Sequence, residues 1–122
     1  MLAELKRLHS PDVLDLPGWV PDTDDFAILV QVLVGLQGSP GEESFDVTVC
    51  SPEWIAQRAR EERIFDGRHH LVVAPFDYQK LWQYLTRYVS SCEGSTWQEI
   101  ATKLGRLGQW EFEDYRPWKA TP

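Results

Sequence analysis

The chain has 122 residues, 43% of them hydrophobic and 25% charged, a composition typical of a single globular domain with one core. Nineteen acidic residues against twelve basic ones give a net charge of −7, which disfavours nucleic acid or an anionic membrane as a partner and favours basic proteins. An acidic surface that only keeps the protein soluble is the alternative, and charge alone does not decide between the two. The N-terminus shows no signal-peptide pattern, and the longest apolar run, 26–34, is too short to cross a bilayer, so we expect a cytoplasmic protein.

Strand patterns occupy the first half of the chain. Residues 3–8 are a weak strand candidate, and residues 10–25, with three prolines and five aspartates, predict an irregular surface segment that Trp19 anchors inward. Residues 26–34 are apolar on both faces, as in a central strand, and residues 44–50 alternate as in a half-buried strand. We predict that these two strands pair as an antiparallel hairpin across a glycine-rich loop.

Capping signals predict three helices in the second half of the chain. Ser51 followed by Pro52 is typical of a helix start, and this helix is expected to end near residue 63. Asp77 precedes an amphipathic stripe, and Thr96 with Glu99 forms a capping box for the third helix.

Two further strands complete the predicted order. We expect short strands at 69–74 and 110–115, the second of them with Glu111 and Glu113 on one face. The order is then β-β-β-α-β-α-α-β. It predicts one α+β domain over residues 1–122, with about three helices packed on a mainly antiparallel sheet.

No residue pattern predicts a metal site or a cofactor. His69 and His70 are adjacent on a predicted strand and would point to opposite faces, while His9 lies far away in sequence. The sequence contains no GxxxxGK[ST], GxGxxG or GxSxG motif. We therefore predict neither a metal nor a cofactor.

Two sets of residues are compatible with an alternative function, that of a small hydrolase. Cys50 precedes a helix start and could act with His69 or His70 if the fold brought them together. Glu111 and Glu113 could serve acid–base chemistry from one strand face. A structural cysteine and a solvated strand face explain such residues more often, so we predict no catalytic residues.

Several separated segments carry a family resemblance. They are 41–46, 49–54, 67–73, 92–97 and 110–115. Together they resemble the immunity protein 8 family, small bacterial proteins encoded beside polymorphic toxins. The resemblance runs from Leu5 to about Pro117 and leaves the tail 118–122 unmatched, as a candidate for disorder.

The resemblance implies both a fold and a role. It implies α+β architecture, a cytoplasmic location, and protection of the producing cell by binding a cognate toxin domain without catalysis. It does not specify the toxin. A regulatory module that binds some other protein remains an alternative, and the genes next to this one would distinguish the two.

The charge of the chain suggests how a toxin would be bound. Nuclease toxins are commonly basic because they bind phosphates, and an acidic inhibitor would be steered toward one. We therefore predict an acidic contact surface with Tyr115 and Trp118 as aromatic anchors. Its candidate acidic residues are Asp22, Asp24, Asp25, Glu42, Glu43, Glu111, Glu113 and Asp114. The aromatic residues expected in the core instead are Phe45, Trp54, Trp97, Trp110 and Phe112.

Overall fold

A computed structural model of the chain describes residues 1–113. The predicted contact residues Asp114, Tyr115 and Trp118, and the C-terminal tail, lie outside the described residues.

Within residues 1–113, five strands and three helices follow one another in the predicted order. The strands are β1 (Ala3–His9), β2 (Ala27–Leu36), β3 (Glu43–Cys50), β4 (His70–Val72) and β5 (Gln109–Trp110). The helices are α1 (Pro52–Glu62), α2 (Tyr78–Ser91) and α3 (Trp97–Leu104). The prediction of an α+β fold is confirmed.

The strands form one mixed sheet that is mostly antiparallel. β1, β2 and β3 pair antiparallel in chain order, and the predicted hairpin is present, with Val30 opposite Val47. β4 pairs in parallel with the end of β3, and β5 pairs antiparallel with its start, where Trp110 lies opposite Phe45. Because β2 occupies one edge of β3 along its length, β4 and β5 share the other edge.

The core lies between one face of the sheet and the helices α2 and α3. Alternate residues of the two central strands point into it, because side chains on a strand alternate between faces. These buried residues are Ile28, Val30, Val32 and Val34 of β2 and Phe45, Val47 and Val49 of β3. The helices contribute residues spaced three or four apart, namely Leu81, Leu85 and Val89 of α2 and Ile100, Ala101 and Leu104 of α3.

The three predicted helix starts are confirmed. The side chains of Ser51, Asp77 and Thr96 each accept a hydrogen bond from the backbone N–H three residues later, at 3.2 Å in every case. Glu99 reaches back past the cap residue, because its Oε2 accepts from the backbone N–H of Ser95 at 2.7 Å, one residue before Thr96, whose N–H the predicted capping box would engage. The signal for a helix start is local, which is why it could be recognised in the sequence.

Two predictions about strand ends are wrong. β4 begins at His70, and His69 precedes it with φ 61°, so the two histidines do not alternate on one strand. β5 ends at Trp110, where the backbone N–H of Glu113 donates to the carbonyl of Trp110 at 2.9 Å and closes a turn. Glu111 and Glu113 therefore lie in that turn and do not share a strand face.

The expected core aromatic residues divide into three kinds. Phe45 is fully buried, and Trp97 and Trp110 are partly buried and pack against the core cluster. Trp54 lies outside that cluster, half-buried on α1, a helix with no buried residue. Phe112 is 39% exposed, so it is not a core residue.

Candidate functional site

The predicted acidic residues lie in two groups at opposite ends of the β2–β3 hairpin. The aspartate group (Asp22, Asp24 and Asp25) precedes β2. The glutamate group (Glu42, Glu43, Glu111 and Glu113) lies around the start of β3. The register places Ala27 opposite Cys50 and Val34 opposite Glu43. At about 3.3 Å per residue, the two groups are roughly 23 Å apart.

Two members of the glutamate group are held in ion pairs. Glu42 Oε1 accepts from Arg7 Nε at 2.9 Å and from Nη2 at 2.7 Å, and this hydrogen bonding raises the pKa of Arg7. Glu113 Oε1 accepts from Arg68 Nη2 at 2.7 Å. Each of these charges is therefore partly neutralised within the chain.

The other two glutamates accept hydrogen bonds that hold the sheet and helices together. Glu43 Oε2 accepts the indole N–H of Trp97 at 2.5 Å and that of Trp110 at 3.0 Å. Glu111 Oε1 accepts from the backbone N–H of Ser44 at 2.8 Å, next to the pairing of β3 with β5. The sequence pattern assigned these carboxylates to solvent or a partner, and it carries no sign of the internal bonds.

The aspartate group is different because its carboxylates are free within the described chain. All three residues are exposed. Thr23 shapes the loop, since its Oγ1 donates to the carbonyl of Asp25 at 3.0 Å and accepts from the backbone N–H of Asp25 at 3.3 Å. Within residues 1–113, no hydrogen bond or ion pair engages the three carboxylates. Their charge is thus available to another molecule.

A cleft opens beside the aspartate group. Three chain segments line it: 20–26 from the loop before β2, 51–53 from the start of α1, and 73–76 from the connection between β4 and α2. Its volume is about 440 Å³. We call it the loop cleft.

Buried contacts fix the walls of the loop cleft. Phe26 and Phe76 pack edge-to-face against Trp19, with ring centroids 5.4 and 4.8 Å away. Trp19 is half-buried and packs against the core, as predicted. Ser51 is 1% exposed, and its Oγ accepts from the backbone N–H groups of Phe26 at 3.1 Å and Trp54 at 3.2 Å. The loop, the helix start and the sheet are therefore joined at one buried hydroxyl.

The geometry does not support Cys50 as a nucleophile paired with a histidine. Cys50 is fully buried, and burial raises the pKa of its thiol. His69 Nε2 lies 2.7 Å from the carbonyl oxygen of Gly105, and His70 Nδ1 lies 2.8 Å from that of Arg68. An activated thiolate requires a lowered pKa and a base within hydrogen-bonding distance, and this arrangement supplies neither.

Asp46 is a carboxylate that sequence analysis did not single out. It is half-buried on the sheet face opposite the core, and its Oδ1 is buried without a hydrogen-bond partner among the described residues. Burial of the carboxylate away from solvent is the main cause of a raised pKa at Asp46, and the negative charge of Glu111 raises this pKa further. The alternating pattern of β3 places Asp46 on the outer face and gives no signal of this burial.

Two features are absent from the part of the chain that the structure describes. Among residues 1–113, no three or more His, Cys, Asp or Glu side chains are grouped so that they could hold a metal ion. In the same residues, no helix has the length and apolar character needed to cross a membrane.

Comparison with known protein families gives a match over most of the chain. The family model described as immunity protein 8 matches residues 3–115. No curated protein and no solved structure matches the chain. The matched range contains every strand and helix of the described fold.

Proposed function

Because the chain belongs to the immunity protein 8 family, we propose that it binds a toxin domain encoded beside it and neutralises that domain in the cytoplasm of the cell that makes both. The family match over residues 3–115 is the observation that carries this proposal. Neutralisation by binding needs a stable, complementary surface and no chemical step. We accordingly propose no catalytic residue, metal or cofactor.

We propose that the acidic contact surface is centred on the aspartate group. The exposure of Asp22, Asp24 and Asp25, and the lack of any partner for their carboxylates within residues 1–113, support this choice. The carboxylates of the glutamate group are engaged within the chain and have less charge to offer. Asp114, Tyr115 and Trp118 stay predicted contacts.

The net charge of −7 supports a basic partner. Complementary charge accelerates association above the roughly 10⁵–10⁶ M⁻¹s⁻¹ of neutral protein pairs, and the acceleration falls as salt rises. A basic nuclease is one toxin type that fits this condition.

Co-expression tests the proposed function directly. We expect the full chain to restore growth of cells that produce the neighbouring toxin domain, and to co-purify with that domain. The matched control is an unrelated toxin domain, which the chain should neither bind nor neutralise. Failure both to bind and to restore growth with the neighbouring domain would contradict the proposal.

Charge neutralisation tests the proposed surface. Replacing Asp22, Asp24 and Asp25 together by asparagine should weaken toxin binding by about a hundredfold at low salt and flatten its salt dependence. Glutamine at the exposed Glu61, Glu62 and Glu93, whose carboxylates form no ion pair within residues 1–113, removes the same charge elsewhere on the protein and is the matched control. Equal effects of the two triple variants would show that only the overall charge acts, and that the aspartate group has no special role.

A further inference from the structure

We propose that the loop cleft receives one basic side chain, an arginine or a lysine, that projects from the bound toxin domain. This inference rests on the proposed function and specifies how the contact is made. Besides Asp24 of the predicted acidic set, it concerns residues outside that set, namely Glu53 at the start of α1 and the apolar side chains beside it.

The cleft has apolar walls that are open to an incoming group. Phe26, Val73 and Phe76 line it, and all three are only partly exposed. Val20 stands on its rim with 78% of its surface exposed. A recess with apolar walls and polar groups at its edge can accept the apolar stem of a side chain from another protein.

The charge of the cleft is negative. Of the described residues that line it, only Asp24 and Glu53 are ionisable, and both are acidic and exposed. Asp22 and Asp25 flank Asp24 in the loop. The start of α1 contributes a positive partial charge. The Ser51 hydroxyl already accepts from one N–H of that helix start. The negative charge of the Glu53 carboxylate offsets the remaining positive partial charge.

Apolar walls below two carboxylates match the chemistry of an arginine or lysine side chain. Such a side chain packs its methylene groups on an apolar surface and keeps its charge at the solvent edge. An apolar or acidic side chain would instead cover Asp24 and Glu53 without neutralising them, which is costly. The charge of the cleft therefore selects a basic occupant.

Single neutralising variants of the full chain test the inference against the neighbouring toxin domain. Asp24→Asn and Glu53→Gln should each lower affinity about tenfold and reduce its salt dependence. Glu62→Gln removes the same charge from the opposite end of the same helix, away from the cleft, and should change affinity less than about twofold. Thermal unfolding of each variant checks that the fold is retained.

A third variant tests the cleft through its apolar rim. Val20→Arg introduces a positively charged side chain next to the cleft that Asp24 lines. This arginine would compete with the basic side chain of the toxin domain for the carboxylates of the cleft. Because Val20 is 78% exposed, the melting temperature should stay unchanged while affinity falls about tenfold or more.

The outcomes separate this inference from the proposed function. If the wild-type chain binds the toxin domain and all three cleft variants behave like Glu62→Gln, the inference is overturned and the proposed function stands. If the wild-type chain does not bind, both are overturned. Loss of affinity confined to the cleft variants supports both.

Discussion

Glu43 and Trp110 lie 67 residues apart in the chain, and a hydrogen bond of 3.0 Å joins the indole Nε1 of Trp110 to Oε2 of Glu43. The same oxygen accepts the indole N–H of Trp97 at the start of α3. Glu43 lies opposite Val34 in the register of β2 and β3, so its side chain is on the core face of the sheet. One half-buried carboxylate thus connects β3, α3 and β5.

We expect replacement of Glu43 to destabilise the fold. Glu43→Ala leaves two partly buried indole N–H groups without their acceptor, and should cost about 2 kcal/mol in the free energy of unfolding. Glu43→Gln keeps an oxygen that can accept both bonds and loses only the charge, so it should cost less. Urea denaturation of the two variants measures the difference. Equal losses would show that the charge of Glu43, not its role as acceptor, stabilises the structure.

The hydroxyl of Ser51 should contribute more to stability than that of Thr96, although both cap helices. Ser51 is buried and accepts from the N–H of Phe26 in addition to its capping bond, whereas Thr96 is exposed. We expect Ser51→Ala to lower the free energy of unfolding by about 2 kcal/mol and Thr96→Ala by about 1 kcal/mol. Urea denaturation tests this order, and a larger loss at Thr96 would contradict it.

The elements that could be predicted from the sequence are those specified by short-range patterns. Each helix begins with a residue whose side chain bonds to the backbone three positions later, so the whole signal lies within four residues. The β2–β3 hairpin follows from apolar runs on either side of a short loop. Element order and fold class result from these local signals.

Features that depend on distant residues could not be predicted. β5 pairs on the edge of β3 that β4 leaves open, and its ladder covers only Phe45 and Asp46. The bond partners of Glu43 come from α3 and β5, so its neighbours in sequence give no indication of them. The loop cleft likewise forms from three segments that are separated along the chain, and Glu53 gains its place beside Asp24 only in the folded structure.

Both cysteines should be unreactive in the folded protein. Cys50 is fully buried and Cys92 is 5% exposed, and burial raises the pKa of each thiol. A thiol with a raised pKa is mostly protonated near neutral pH, and the thiolate is the reactive form. We expect iodoacetamide at pH 7.5 to modify neither cysteine in the native protein and both in urea. Rapid modification of Cys50 in the native state would restore the hydrolase alternative.

Asp46 should destabilise the folded protein at neutral pH. Because folding raises the pKa of this carboxyl above its usual 3.8, ionisation costs the folded state more than the unfolded state. At a pH below the pKa of Asp46 in the unfolded chain, the carboxyl is protonated in both states and this loss of stability is absent. The loss develops as the pH rises through the higher pKa of Asp46 in the folded protein. Asp46→Asn removes it, so this variant should unfold at a higher urea concentration than wild type at pH 7, with the difference narrowing as pH falls toward 3.8. Asp22→Asn makes the same change at an exposed position; an equal gain there, or a gain at Asp46 that does not vary with pH, would refute the explanation.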